Sequence, residues 1–233
     1  MVKPERAITT MRFALASVLF LLSCPAAFAG AWLRERGTGF TSSTATVSQN
    51  RDLAQTTYLE FGVRDDLTLG AELGFDTAAS GLQSGSASFF VRRPLVEQRR
   101  SNVWAYELGM GVDWNGDLIL PNIQAGISWG RGYRLSGIDG WMAIDTSVVW
   151  DVYKSEHLAK MDGTVGVNFT PRLTAMFQIF HSGSADADAT YFAPSIVFRP
   201  LKSRPRIRLQ VGAETLIGDP TSVTAKFSLW RNF

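Results

Sequence analysis

The feature that most constrains this chain is a two-residue alternation of apolar and polar side chains. In residues 67–77, leucine, alanine and phenylalanine alternate with threonine, glycine, glutamate and aspartate, and residues 103–114 and 206–217 repeat the pattern. A period of two places successive side chains on opposite faces of an extended strand. No apolar stripe with the 3.6-residue period of a helix follows residue 30, so the sequence predicts an all-β fold.

The alternation divides the chain after residue 30 into about twelve strands, with ten or fourteen as alternatives. Turn signals such as Asn115-Gly116-Asp117 and Thr170-Pro171-Arg172 separate them. No linker or break in composition interrupts residues 30–233, which we therefore predict to form one domain. The predicted strands are 38–48, 56–64, 67–77, 86–95, 103–114, 123–133, 140–152, 157–169, 173–182, 189–199, 206–217 and 222–233.

Residues 1–29 have the layout of a secretory signal peptide. Basic residues precede the apolar run 13–22, and the small residues Ala27 and Ala29 form a cleavage site before Gly30. The alternative is a lipoprotein signal ending at Cys24, but a proline follows that cysteine directly. The true start is either Met1 or Met11, since a complete signal also begins at Met11.

Removal of the signal changes which partners the composition allows. Loss of Lys3, Arg6, Arg12 and Glu5 leaves equal numbers of basic and acidic residues, so we expect no nucleic-acid partner. The single cysteine, Cys24, leaves with the signal. No metal site and no cofactor are expected, because only two separated histidines remain and no glycine-rich phosphate loop opens a helix.

Alternating strands fit either a soluble sandwich or a membrane barrel, and two features favour the barrel. Many predicted strands have ten to twelve residues, the length needed to cross a bilayer at a tilt. Aromatic residues also lie near the predicted strand ends, where headgroups favour them. These residues are Trp104, Trp114, Trp129, Trp141, Trp150 and Tyr191.

The C-terminus supplies a third feature. The last strand alternates through Phe227 and Leu229 and ends at Phe233. These residues resemble the terminal recognition signal of bacterial outer-membrane proteins, and the whole of 30–233 resembles a small, porin-like or transporter-like Gram-negative outer-membrane β-barrel. The resemblance implies a transmembrane antiparallel up-and-down barrel that is inserted by the barrel assembly machinery. It further implies contact with outer-membrane lipids and lipopolysaccharide, and both termini in the periplasm.

This topology assigns the connections to two sides. The connections predicted to face outward are short, and none resembles a plug. Acidic residues such as Asp113, Asp117 and Asp219 lie near that side. They would draw cations to the mouth of the barrel, although divalent bridging to lipopolysaccharide explains the same residues.

The polar face of the strands predicts the lining of the lumen. Charges on that face must meet water or each other, since the lipid side is costly for them. A selective lining for a small polar solute and a closed, mutually paired structural network are both compatible with this pattern. The predicted pore-lining residues are Glu60, Arg64, Glu72, Arg92, Glu107, Asp145, Lys160, Asp162, Gln178, Arg208, Glu214 and Lys226.

A narrow channel for small polar solutes is therefore the first functional hypothesis, and a structural envelope barrel is the second. A lipid-active hydrolase using His181 is the third. Such hydrolases pair a histidine with a serine two residues later on the same strand face. Here Gly183 occupies that position, so we expect no catalytic residues and no enzyme activity.

Overall fold

The computed structural model describes residues 30–96, 102–153, 156–185, 187–201 and 203–233, without the side chains of residues 220 and 221. Each strand pairs antiparallel with the next, and the first pairs with the last, so the sheet closes into a barrel. The prediction of a twelve-stranded antiparallel barrel is confirmed. The strands are β1 (Gly39–Ser48), β2 (Leu53–Arg64), β3 (Leu67–Thr77), β4 (Gln83–Pro94), β5 (Val103–Asn115), β6 (Leu118–Leu135), β7 (Ile138–Asp151), β8 (His157–Thr170), β9 (Leu173–Gly183), β10 (Asp188–Phe198), β11 (Ile207–Leu216) and β12 (Asp219–Asn232).

The alternation directs apolar side chains outward and polar side chains inward. On β2, Leu59 and Phe61 are 41% and 40% exposed, whereas Glu60 between them is 2% exposed. This is the reverse of a soluble protein, in which the apolar face is covered. The apolar faces meet no second sheet, so the sandwich alternative is wrong. Among the described residues, no helix qualifies as a candidate membrane span.

One predicted connection differs from the structure. Residues 115–122 lie between two predicted strands and were expected to form a connection, but β6 begins at Leu118. Pro121 pairs with Val112 on β5, and its carbonyl accepts a hydrogen bond of 3.0 Å from Val152, just beyond the end of β7. The nitrogen of a strand residue points to the same side as its carbonyl. The missing N–H therefore faces the end of β7, where no ladder bond is lost.

The C-terminal aromatic residue completes the seam between β1 and β12. The main chains of Gly39 and Phe233 exchange hydrogen bonds of 2.9 and 3.0 Å. The Phe233 ring occupies the space that a Cβ at Gly39 would need. Phe227 and Leu229 are 51% and 48% exposed on the outer face. The seam thus depends on a glycine on one strand and an aromatic ring on the other.

The prediction that aromatic residues near the strand ends form a girdle on the outer face of the barrel is confirmed in part. Trp104 and Trp129 lie together on the outer face with ring centroids 6.4 Å apart, and Trp150 is 41% exposed. Trp141 was wrongly assigned to the girdle, because its side chain points into the barrel and is 7% exposed. Tyr191 also faces inward, since its register partner Phe180 lines the lumen.

Candidate functional site: the barrel lumen

The barrel encloses a polar cavity of about 460 Å³. Side chains from most of the strands reach it, because every second residue of each strand points inward. Nine of the twelve predicted lining residues border this cavity: Glu60, Glu72, Arg92, Glu107, Asp145, Lys160, Asp162, Gln178 and Lys226.

The other three predicted lining residues lie outside the cavity. Arg64 is exposed at the end of β2, where a register shift follows Gly62. Arg208 pairs with Trp230 on the inner face, close to the end that carries the termini. Glu214 lies on the same face toward the opposite end, where its carboxylate is 3.4 Å from Lys226 Nζ.

A buried ionic cluster surrounds Arg92. Its guanidinium donates to Glu60, to Glu107 at 2.7 Å and to the Tyr58 hydroxyl at 3.2 Å. The Tyr58 hydroxyl donates in turn to Glu60 at 2.5 Å. The guanidinium also lies 4.9 Å from the centroid of Phe90. One cation therefore holds carboxylates from β2 and β5 in a fixed arrangement.

A second group of charges lies on β7 and β8. Asp145 and Asp162 are register partners, so two carboxylates lie side by side on the inner face. Lys160, two residues before Asp162, acts electrostatically on Asp162 and on Glu72. Among the described residues, the cavity lining carries five carboxylates and four basic side chains.

The chain before β1 also contributes to the lumen, which sequence reasoning did not predict. We call residues 30–38 the N-terminal segment. Gly37 has a φ of 78°, and the chain reverses there into the barrel. Gly37 N–H donates to the Gly62 carbonyl at 2.8 Å, and Arg34 N–H donates to the Thr68 hydroxyl at 2.9 Å. Both Gly30 and Arg34 line the central cavity.

The N-terminal segment crosses from one wall to another. Arg34 Nε donates to Glu60 on β2 at 2.5 Å. At the other end of the segment, Gly30 lies against Asp145 on β7 and Ser128 on β6. The connections predicted to face outward are indeed short, but a segment before the first strand fills part of the bore. Little in the sequence indicated that this segment enters the lumen, because Trp32 and Arg34 lie before the first alternating strand.

A small hydrophobic cluster fixes this segment. Trp32 packs with Trp230 against the buried side chains of Trp141, Met176 and Val197. The Trp32 ring takes the space that a Cβ at Gly130 would need, and the Trp141 ring does the same at Gly166. Inward glycines therefore accommodate neighbouring aromatic rings here, as in other curved sheets.

His181 does not form a catalytic pair with either of the nearby serines, Ser182 and Ser184. His181 Nδ1 lies 2.9 Å from the Thr190 hydroxyl, and the ring is on the outer face, as is its register partner Met161. Ser182 points into the barrel, because adjacent strand residues face opposite sides. Ser184 donates to the Ala187 carbonyl at 3.2 Å. This arrangement gives no support to the hydrolase hypothesis.

In the described ranges, no group of three or more His, Cys, Asp or Glu side chains is arranged to hold a metal ion. No family model matches the chain, and no curated protein matches it.

Solved structures do match the fold. The KdgM porin has a TM-score of 0.61 at 7% identity, over 83% of this chain and 99% of that chain. Its fold is that of an outer-membrane porin. The NanC porin matches with a TM-score of 0.58 at 11% identity, over 82% of this chain and 97% of that chain. Omp33 from Acinetobacter baumannii matches this porin fold with a TM-score of 0.51 at 6% identity, over 88% of this chain and 100% of that chain. The KdgM porin is also known in complex with disordered oligogalacturonate.

Proposed function

We propose that this protein is a narrow channel through which small polar solutes cross the bacterial outer membrane. The observation that carries the proposal is a closed barrel with an apolar outer face and a charged cavity of about 460 Å³ inside it. The porin fold of the neighbours supports the outer membrane as its location. An even number of strands places both termini on the same side of the membrane, and we propose that this side is the periplasm.

The charges of the lumen favour a solute other than a polyanion. Oligogalacturonate, which occurs with the KdgM porin, is a polymer of carboxylates. The lining of this barrel carries one more acidic than basic side chain among its described residues. Carboxylates in a confined lumen raise the local concentration of cations. We therefore propose a weak preference for cationic or neutral solutes.

Planar-bilayer recording of the refolded mature chain tests the channel. We expect small, discrete conductance steps and a reversal potential that favours cations in a salt gradient. The variant Glu72→Gln should reduce this preference, because it removes a lumenal carboxylate. Asp66→Asn is the matched control, because Asp66 lies in the β2–β3 turn and pairs with the exposed Arg93. No conductance in any of several salts would contradict the channel.

A structural envelope barrel without transport is the second candidate. The Arg92 cluster and the N-terminal segment favour it, because both fill the bore with paired groups. In that case the wild-type barrel and a variant lacking the N-terminal segment would both fail to conduct.

A further inference from the structure

We propose that signal-peptide cleavage creates the anchor of an internal plug. The new α-ammonium group of Gly30 forms an ion pair with Asp145, and this pair holds the N-terminal segment in the lumen. The proposal rests on cleavage after Ala29, which lies outside the described residues. Its effect on transport also rests on the proposed channel.

The first observation is the environment of Asp145. Its carboxylate is within hydrogen-bonding range of the Gly30 main-chain nitrogen and of the Ser128 hydroxyl. Its Oδ1 atom is nevertheless buried without a hydrogen-bond partner among the described residues. An unsatisfied carboxylate oxygen is costly inside a protein. The arrangement therefore lacks one donor, at the end of the N-terminal segment.

Hydrolysis of the Ala29–Gly30 bond supplies that donor. Water adds across the peptide bond, leaving a carboxylate on Ala29 and an ammonium on Gly30. The Gly30 nitrogen then carries three donor hydrogens and a positive charge in place of one amide hydrogen. A charge-assisted hydrogen bond to a carboxylate is about twice as strong as a neutral one. Cleavage would also place a positive charge beside the five carboxylates of the described cavity lining, which makes the proposed preference for cations weaker than the side chains alone would give.

The residue type at position 30 fits this role. A Cβ at Gly30 would overlap both the Asp145 carboxylate and the Ser128 hydroxyl, so only glycine lets the main chain come this close. Ala31 is 0% exposed, and Trp32 packs in the cluster around Trp141. The N-terminal segment is thus held at three points, by Gly30, Trp32 and Arg34.

Amine labelling of the wild-type barrel tests the ion pair without measuring transport. An ammonium held by a carboxylate loses its proton less readily, and only the free amine is acylated. At neutral pH we expect Gly30 to react about tenfold more slowly than in Asp145→Asn, which corresponds to one unit of proton affinity. Asp162→Asn is the matched control, because it removes the register partner on β8 and should leave Gly30 protected.

Mass spectrometry of the N-terminal peptide gives both the reaction rate and the first residue. Equal, fast labelling in all three proteins would overturn the proposal, as would a mature chain that begins elsewhere than at Gly30.

A second variant keeps the proposal testable if Asp145→Asn does not fold. In Gly30→Ala, the added Cβ overlaps the Asp145 carboxylate, so the ion pair should be weakened. The N-terminal amine of this variant should therefore be labelled about tenfold faster than that of the wild type. A heat-modifiable Gly30→Ala barrel that is labelled as slowly as the wild type would overturn the proposal.

Conductance then separates the plug from the proposed channel. Deletion of residues 30–37 should give larger current steps than the wild type, because it removes the segment that fills part of the bore. If Gly30 is protected from labelling but neither the wild type nor the deletion conducts, the ion pair stands and the channel function fails. If the deletion leaves the current steps unchanged, the plug is overturned.

Discussion

Arg92 on β4 and Glu60 on β2 form an ion pair that passes over β3. Both side chains are buried, at 6% and 3% exposure. The strand between them carries Gly70 opposite Glu60, and the Phe90 ring fills the space above that glycine. The small residue allows the two charged side chains to meet, while the ring excludes water from one side. This pair therefore ties three strands together.

We expect Arg92→Met to destabilise the barrel by about 3–5 kcal/mol, because it leaves the partly buried Glu107 carboxylate without its cation and Glu60 with Arg34 alone. The free energy of unfolding in denaturant, measured on protein refolded in detergent, checks this value. The control is Arg93→Met, whose pair with Asp66 is about half exposed on each side. Exposed pairs contribute about 0–1 kcal/mol. Equal losses in both variants would contradict the role assigned to Arg92.

Replacement of the C-terminal aromatic should weaken the seam. Phe233→Ala removes the ring that packs over Gly39, and we expect a loss of about 1–2 kcal/mol for a partly buried phenylalanine. If Phe233 also serves as an assembly signal, the yield of heat-modifiable barrel in cells should fall further than the yield after refolding in detergent. Phe89→Ala is the matched control, because it removes an outward ring on β4 that is 48% exposed and lies away from Gly39 and the last strand. Equal yields in cells for wild type and Phe233→Ala would argue against the recognition role.

The connection between β1 and β2 should loosen in acid. The Ala79 amide and the Ser48 hydroxyl hydrogen-bond Asp52 and hold the pKa of its carboxyl below the ordinary value of 3.8. Because the pKa is lower in the folded state, the stabilisation is present above 3.8 and disappears as pH falls through the folded value. The protection factor of the Ala79 amide, which compares its exchange rate with that of an unstructured amide at the same pH, should fall in that range when followed by NMR. In Asp52→Asn this protection factor should not change there.

We expect His181→Ala to leave the lipid composition of the outer membrane unchanged. The imidazole is hydrogen-bonded to Thr190 and lies on the opposite face from Ser182. Lipid profiling of cells that express either protein measures this. Ser182→Ala serves as the partner variant, and a change in lipid products shared by both variants would revive the hydrolase.

Strand positions were predictable because alternation is a local property of the sequence. The predicted strands 67–77 and 103–114 agree with β3 (Leu67–Thr77) and β5 (Val103–Asn115). Pro121 and Trp141 were misread for a different reason. The partner available to each residue, rather than its own type, decides whether a proline is tolerated and whether a tryptophan faces lipid or lumen.

The contacts of the candidate site were less predictable than its residues. The two-residue alternation of the sequence indicated which residues face inward, and Glu60, Arg92 and Asp145 all border the cavity. The alternation does not indicate which of the inward-facing charged side chains form ion pairs with each other. Arg34 and Trp32 precede the first strand, so no alternation identified them as lumenal residues.

The sequence by itself determined the alternating strands, their lengths and the separation of an apolar face from a polar face, because these depend on neighbouring residues and backbone geometry. Only the tertiary structure decided that β1 meets β12, which ions pair across intervening strands, and that residues 30–38 turn back into the bore. These features join residues far apart in the chain, and their energies depend on distances that exist only after the barrel has closed.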